Sequence, residues 1–114
     1  MPRPVPEPVP APAPPNVGEA PRELVERIRR DAAKRAGVDP AKLRVIRDEA
    51  VTWPDGSLGC AEPGREYLMA LVPGYWVVLA LGDREFDYRS DATGHFMLCV
   101  HGRGRAPAGQ PPTK

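Results

Sequence analysis

Apolar positions recur every four residues between residues 21 and 37, a spacing typical of a helix that is buried along one side. This apolar stripe consists of Leu24, Ile28, Ala32 and Ala36. Pro21 suits a first helical position, and Gly37 suits a left-handed C-cap. The pattern therefore predicts one helix over residues 21–37 that packs its stripe against a sheet.

Alternating apolar and polar positions after this helix predict an antiparallel sheet of four to five strands. The predicted strands span residues 43–52, 67–72, 75–81, 84–89 and 95–100. In the first strand the apolar positions change parity between Val45 and Ile46, which indicates a bulge. In the fourth strand Arg89 falls on the polar side of the alternation, so we expect it to face water. A single helix followed by such a sheet predicts an α+β fold.

Three turn signals separate the later strands. Pro73-Gly74 has proline and glycine in the order that a type II turn requires, so it predicts a hairpin between residues 67–72 and 75–81. Gly82-Asp83 is typical of a two-residue hairpin turn. Residues 90–94 form the last predicted turn, before the final strand.

Prolines are concentrated at the two ends of the 114-residue chain. Between Pro2 and Pro15 they alternate with valine, glutamate and alanine, a composition that favours solvated polyproline II and buries little apolar surface. We therefore predict a disordered Pro-rich segment over residues 1–18, a single α+β domain over residues 19–102 and a disordered tail over residues 103–114. A chain of this length has room for one domain, which we expect to be monomeric.

The charge balance excludes some classes of partner. Sixteen basic and fifteen acidic residues give a net charge of +1, which is too balanced to indicate nucleic-acid binding. The longest mostly apolar run, residues 67–81, is interrupted by Pro73-Gly74 and falls short of the ~20 residues that a membrane-spanning helix needs. The first residues lack the charged and then apolar pattern of a signal peptide, so export has to be inferred from other features.

Two cysteines, Cys60 and Cys99, are the only ones in the chain. A bridge between them would close a loop of about 40 residues and would stabilise the fold by roughly 4 kcal/mol in the chain-entropy model. That is comparable with the ~3–5 kcal/mol that a core of this size supplies. Such a bridge persists only in an oxidising compartment, whereas two buried free thiols would be compatible with the cytoplasm.

The segment from Trp53 to Gly64 is bracketed by two turn signals and predicts a structured loop. A loop held at both ends loses little entropy on binding, so it is a candidate recognition surface. We expect Asp55 and Ser57 to be exposed there, with Trp53 and Leu58 supporting them from below. The alternative is a structural crossover in which Trp53 and Leu58 simply fill the core.

Metal binding and catalysis are the competing interpretations. His95, Cys99 and His101 share one parity with Met97 on the last strand, and these soft ligands, with Cys60, would suit Cu(I) or zinc. Residues two apart on a strand are roughly 7 Å apart, so at most two of them could reach one metal ion. Nucleophilic catalysis would need Ser57 or Cys60 beside a histidine, which the spacing does not require. No cofactor motif occurs, and we predict no enzymatic activity.

One block is more specific than the rest. Residues 51–60 read Val-Thr-Trp-Pro-Asp-Gly-Ser-Leu-Gly-Cys, and Pro63-Gly64, Tyr67 and Pro73-Gly74-Tyr75 follow. The chain thereby resembles a family of small uncharacterised bacterial exported proteins and lipoproteins, and its order of elements is weakly similar to PepSY-like and cystatin-like modules. The resemblance covers about residues 23–99. It implies a Cys60–Cys99 disulfide and a periplasmic or cell-envelope location.

The chain departs from the family pattern in its fourth strand, where Phe86-Asp87-Tyr88-Arg89 stands in place of Tyr-x-Tyr-His. We therefore do not expect this chain to have a role that needs that histidine. From these features we expect a non-catalytic extracytoplasmic binding domain, inhibitor-like through residues 53–64, whose partner is a protein or a cell-envelope component. The alternatives are a small Cu- or Zn-binding protein and a cytoplasmic location.

Overall fold

A computed structural model describes residues 18–100 of the chain. The predictions about the Pro-rich segment up to residue 17, His101 and the C-terminal tail concern residues outside this range, so they stay predictions. Within the range, one helix is followed by a four-stranded antiparallel sheet, which confirms the predicted α+β fold. No helix of residues 18–100 is long and apolar enough to cross a membrane.

The helix α1 (Arg22–Ala36) has the ends that the sequence predicts, to within one residue. Pro21 is its N-cap rather than its first helical residue. Gly37 adopts the left-handed conformation, with φ 70°, and its N–H donates to the carbonyl of Ala33. A short 3-10 helix, Pro40–Lys42, follows, and the Asp39 carboxylate caps it by accepting from the Ala41 N–H. These caps stop the helix and turn the chain towards the sheet.

The sheet consists of β1 (Arg44–Trp53), β2 (Val72–Leu81), β3 (Arg84–Asp91) and β4 (Phe96–Leu98), in that order across the sheet. The register of β1 against β2 shifts between Val45 and Arg47, which confirms the predicted bulge. Leu81 pairs with Arg84, so the two-residue turn at Gly82-Asp83 is also confirmed. The last predicted strand is present but shorter than residues 95–100.

The predicted hairpin at Pro73-Gly74 is wrong. These two residues lie inside β2, which runs unbroken from Val72, and residues 61–71 form no strand. Gly74 is needed there for a different reason, because a Cβ added to it would lie 1.9 Å from the carbonyl oxygen of Ser90 on β3. Pro73 pairs with Thr52 on β1 and precedes the first residue of β2 that pairs with β3. The missing side chain of glycine permits a close backbone approach rather than a turn.

Each face of the sheet has its own apolar cluster. The first face packs against α1, and its largest buried side chains are Ile28, Leu79, Phe86 and Tyr88. The second face, opposite the helix, carries a smaller cluster of Trp53, Leu58, Trp76 and Val78. The long connection between β1 and β2 covers this second face, so it takes the place that a second helix would have in a three-layer fold.

A partly buried hydrogen bond ties the helix to the sheet. The Tyr88 hydroxyl donates to the Asp31 carboxylate at 2.6 Å, and Arg35 donates to the same carboxylate at 2.7 Å. Burial raises the pKa of Tyr88 well above its ordinary value, and the bond to Asp31 raises it further. Partial burial acts to raise the pKa of Asp31, but the bonds from Tyr88 and Arg35 outweigh it and leave that pKa below its ordinary value. Both shifts favour the neutral phenol and the ionised carboxylate.

Candidate functional site

The segment from Trp53 to Cys60, which we name the crossing loop, lies on the second face of the sheet. Trp53 is fully buried at its start. Its indole N–H donates to the carbonyl oxygen of Ser90 at 3.0 Å, so the side chain spans β2 to reach β3. The ring also meets Trp76 edge-on, with centroids 6.2 Å apart. Trp53 therefore supports the loop from below, as the sequence predicts.

The next residues form a tight turn held by one carboxylate. Asp55 accepts hydrogen bonds from the backbone N–H of Ser57, at 2.8 Å, and from the Ser57 hydroxyl. Asp55 is half-buried, and Ser57 is only 3% exposed. The expectation that both side chains are exposed contacts is therefore wrong for Ser57, because the turn uses its polar groups internally.

Leu58 holds an unusual backbone conformation at the centre of the crossing loop. Its φ is 56°, the only positive value for a non-glycine residue among residues 18–100, and Gly59 follows with φ 72°. The left-handed region costs an L-residue on the order of 1–2 kcal/mol. Burial of the Leu58 side chain in the second cluster offsets this cost. The glycine and the leucine together direct the chain down towards Cys60.

Arg89 fixes the crossing loop to the sheet. Its side chain is 2% exposed and donates to the carbonyl of Leu58 at 3.1 Å. It also donates twice to the Asp87 carboxylate, at 3.2 and 3.1 Å. The guanidinium lies over the rings of both Trp53 and Trp76, at 4.9 and 5.5 Å from their centroids. The prediction that Arg89 faces water is therefore wrong.

Alternation placed Arg89 on the polar side of β3, but it could not show that the crossing loop covers that side. Arg89 shares its face of β3 with Asp87, and the face carries charged residues because the crossing loop covers it with carbonyl groups and aromatic rings. A buried arginine that donates to both a carboxylate and a carbonyl has several of its N–H groups satisfied at once. Arg89 thus anchors the crossing loop to β3.

A disulfide closes the far end of the crossing loop. Cys60 and Cys99 are bridged, with Cα atoms 5.9 Å apart, and both residues are buried. Cys99 also donates its backbone N–H to the carbonyl of Asp87 at 2.8 Å. The predicted bridge is confirmed, and it joins the crossing loop to the chain directly after β4.

The exposed apolar surface lies further along the connection. Leu68, Met69 and Leu71 are 70%, 84% and 67% exposed, within a segment of residues 61–71 that we name the outer loop. The outer loop is held in place where Leu68 accepts from the Gly56 N–H at 2.8 Å and where the Tyr67 hydroxyl accepts from the Glu62 N–H at 3.0 Å. In the predicted recognition surface of residues 53–64, residues 53–60 are buried or half-buried, and the first exposed residue is at position 61.

A groove of about 380 Å³ opens between the two loops and the β3–β4 hairpin. Leu58, Leu68, Val72 and Met97 give it an apolar wall, and Asp91 and His95 lie at its hairpin side. Partial burial acts to raise the pKa of Asp91, but hydrogen bonds from Thr93 and from the His95 backbone outweigh it and leave the pKa below its ordinary value. The groove is thus apolar with one ionised carboxylate at its rim.

The metal-binding alternative involves residues that the structure describes only in part. No group of three histidine, cysteine or acidic residues within residues 18–100 is placed to hold a metal ion. The His95 Nδ1 lies 2.8 Å from the Thr93 hydroxyl, and Cys99 is in the disulfide. Because His101 lies outside the described range, the set His95, Cys99 and His101 stays a prediction.

Comparison with known proteins identifies a family but no activity. Residues 25–99 match the family model of a domain of unknown function, DUF8738. That range begins in α1 and ends at the second cysteine of the disulfide, so it contains both loops and the groove. No curated protein and no solved structure matches the chain.

Proposed function

The chain belongs to the DUF8738 family, and we propose that it is a non-catalytic binding domain that acts in the periplasm or cell envelope and holds a protein partner on its outer loop. The observation that carries the proposal is the exposure of Leu68, Met69 and Leu71 on a segment whose two ends are anchored. The crossing loop has the different role of holding that surface in place.

The disulfide supports the extracytoplasmic part of the proposal. Thiols in the cytoplasm are kept reduced, whereas bridges persist in the periplasm and at the cell surface. The bridge joins residues 39 apart in sequence, and closing a loop of that size contributes roughly 4 kcal/mol to the stability of a small domain. A domain that depends on its bridge to this extent is suited to an oxidising compartment.

The apolar side chains support the binding part. Single exposed apolar residues are common on soluble proteins, but three large ones within four consecutive positions concentrate apolar surface on one short segment, which is typical of a contact site. A flexible thioether such as that of Met69 adapts to the shape of a partner. Because the outer loop is already anchored, its ordering would cost little on binding.

The charges near the patch favour a protein over a lipid surface. Glu62 and Glu66 accompany Arg65 on the outer loop, and Arg65 pairs with Glu62 at 3.4 Å. The loop therefore carries no excess of basic groups that would attract anionic lipids. Mixed charges around an apolar centre are the usual arrangement of a protein–protein interface.

Site-specific photo-crosslinking in intact cells of the native host tests this proposal. A benzoylphenylalanine at position 69 samples the patch, and the same group at position 30 serves as the matched control, since Arg30 is exposed on α1. We expect one defined adduct with an envelope protein from position 69 and none from position 30. The adduct should disappear in the double variant Leu68→Ser, Leu71→Ser. Equal adducts from both positions, or none from position 69, would overturn the proposal.

A further inference from the structure

The two edges of the sheet differ in how well their backbone groups are covered. At the β1 edge, the N–H groups of Glu19 and Ala20 donate to the carbonyl of Asp48, and the Glu19 carboxylate accepts from the Ala50 N–H. The bulge between Val45 and Arg47 further distorts this edge. Covering and bulging are the usual ways in which proteins prevent a sheet edge from pairing with another chain. The β1 edge is therefore closed to a partner strand.

Within the part of the chain that the structure describes, the β4 edge has neither feature. The chain from Phe96 to Val100 reads Phe-Met-Leu-Cys-Val, with no charged residue and no proline. Within residues 18–100, no backbone hydrogen bond reaches its outer side. Among the described residues, the short length of β4 is the one protection found at this edge.

The hydrogen-bond pattern identifies which backbone groups face outward. The Asp91 N–H donates to the carbonyl of His95 at 3.0 Å, and the Cys99 N–H donates to the carbonyl of Asp87 at 2.8 Å. In an antiparallel pair, residues that exchange hydrogen bonds alternate with residues that do not. Met97, halfway between His95 and Cys99, therefore bonds to β3, whereas the N–H and C=O groups of Phe96 and Leu98 point away from the sheet. These groups form a regular template for one more strand.

The apolar groove lies beside the same edge. Phe96 and Met97 of β4 line it together with Leu58, Leu68 and Val72. Side chains of an added strand alternate between the two faces of the sheet, so those on the second face would lie next to Met97 and above the groove. Backbone pairing at an edge with side chains in an adjacent pocket is a common mode of peptide recognition.

The charges of this region restrict the occupant. The side chains of Phe96 and Leu98 pack against the apolar cluster of the first face, so apolar side chains opposite them would extend that cluster. The nearby charge on that face is the Arg27 guanidinium, 5.4 Å from the centroid of the Phe96 ring, which disfavours a basic residue at the centre of the partner strand. At the hairpin side of the groove, the ionised Asp91 would complement a basic residue at one end of the partner. These requirements describe an extended segment with apolar alternate residues and a basic end.

We propose that the β4 edge and the neighbouring groove bind an extended, apolar segment of another protein by strand addition. The inference rests on the proposed function and specifies how the domain holds its partner. Phe96 and Leu98 would supply the backbone hydrogen bonds, and the groove would select the side chains.

The probe is a phage-displayed library of eight-residue peptides that alternate apolar and small polar residues, selected against the full oxidised chain. Amide hydrogen exchange followed by NMR then reports on β4 with and without the selected peptide. We expect the amides of Phe96 and Leu98 to exchange rapidly in the free protein and to gain at least tenfold protection in the complex. The amide of Met97 is the internal control, since it is already bonded to β3.

Methylation of peptide nitrogens distinguishes strand addition from simple apolar contact. Methyl groups on the alternate amides that face β4 should weaken binding at least tenfold, while the same groups on the other amides should have little effect. Equal effects of the two sets, or unchanged exchange at Phe96 and Leu98, would overturn the inference. Protection of these amides in the absence of peptide would also overturn it. Protection that depends on protein concentration would identify a second copy of the chain as the occupant, whereas protection independent of concentration would identify the chain's own terminal segments.

The two proposals can fail separately. If no peptide binds at β4 but position 69 still crosslinks to an envelope protein, strand addition is refuted and the binding function stands. If neither occurs, the binding function is refuted as well.

Discussion

The anchoring of the crossing loop by Arg89 leads to a quantitative prediction. In the variant Arg89→Met, a side chain of similar length replaces the guanidinium, so the volume beneath the loop is largely kept. The carbonyl of Leu58, which accepts from Arg89 at 3.1 Å, loses this buried donor. An unsatisfied buried polar group costs about 1–3 kcal/mol. Loss of the cation–π contacts with Trp53 and Trp76 adds about 1 kcal/mol.

We therefore expect Arg89→Met to lower the free energy of unfolding by about 2–4 kcal/mol. The contact with Asp87 adds little to this figure, because that carboxylate is one-third exposed and water can solvate it. Urea titration of the oxidised protein measures the change, with fluorescence of Trp53 and Trp76 as the signal. Both rings lie under the crossing loop, so they report on its detachment.

Arg84→Met is the matched control on the same strand. Arg84 also lies over an aromatic ring, 4.5 Å from the centroid of Phe86, but it is exposed. Its loss should cost no more than about 0.5 kcal/mol. Arg89→Lys should be intermediate, since it keeps the charge but not the planar fork. If Arg89→Met cost less than about 1 kcal/mol, or no more than the control, the anchoring role of Arg89 would be refuted.

Three further predictions concern the other features that hold the fold. Cys60→Ser should lower the free energy of unfolding by roughly 4 kcal/mol in urea titration, and an unchanged midpoint would contradict the stabilising role of the bridge. Gly74→Ala should prevent close pairing at Ser90 and so reduce the yield of folded protein on gel filtration; wild-type yield would show that the strands separate easily. Tyr88→Phe should cost about 1.5–3 kcal/mol at pH 7. Folding lowers the pKa of Asp31, so the ionised carboxylate contributes to the free energy of unfolding above its ordinary pKa, and this contribution is lost as the pH falls through the pKa of the folded state. The difference in stability between Tyr88→Phe and wild type should therefore shrink in acid. A difference that does not depend on pH would contradict this.

Local patterns predicted the elements whose ends are determined by neighbouring residues. Gly37 ends α1 because the left-handed conformation is local, and the bulge near Val45 is visible as a change of parity. Pro73-Gly74 was misassigned because proline and glycine are favoured in turns and disfavoured inside strands, so composition alone predicted a turn. The decisive factor, the approach of the Ser90 carbonyl, comes from a residue distant in sequence and is invisible to local reasoning.

The candidate site was predictable in part. Trp53 and Leu58 are buried in the second cluster as expected, and the cysteines are bridged. The prediction that Ser57 is exposed was wrong, because the residue type alone does not show whether a serine hydroxyl is bonded within a turn or faces solvent. The apolar patch of the outer loop was also missed, since alternation in residues 67–72 suggested a strand. Which face of a loop is left uncovered depends on packing from the whole chain.

The measurement that tests the account most directly is the intact mass of the protein purified from its own host, after alkylation of free thiols with and without prior reduction. A bridged Cys60–Cys99 pair and an extracytoplasmic location predict no alkylation until the protein is reduced, and then the addition of two groups. Two groups added without reduction would mean that the thiols are free in the cell. That result would contradict both the oxidising compartment and the stabilised surface on which the proposed binding function depends.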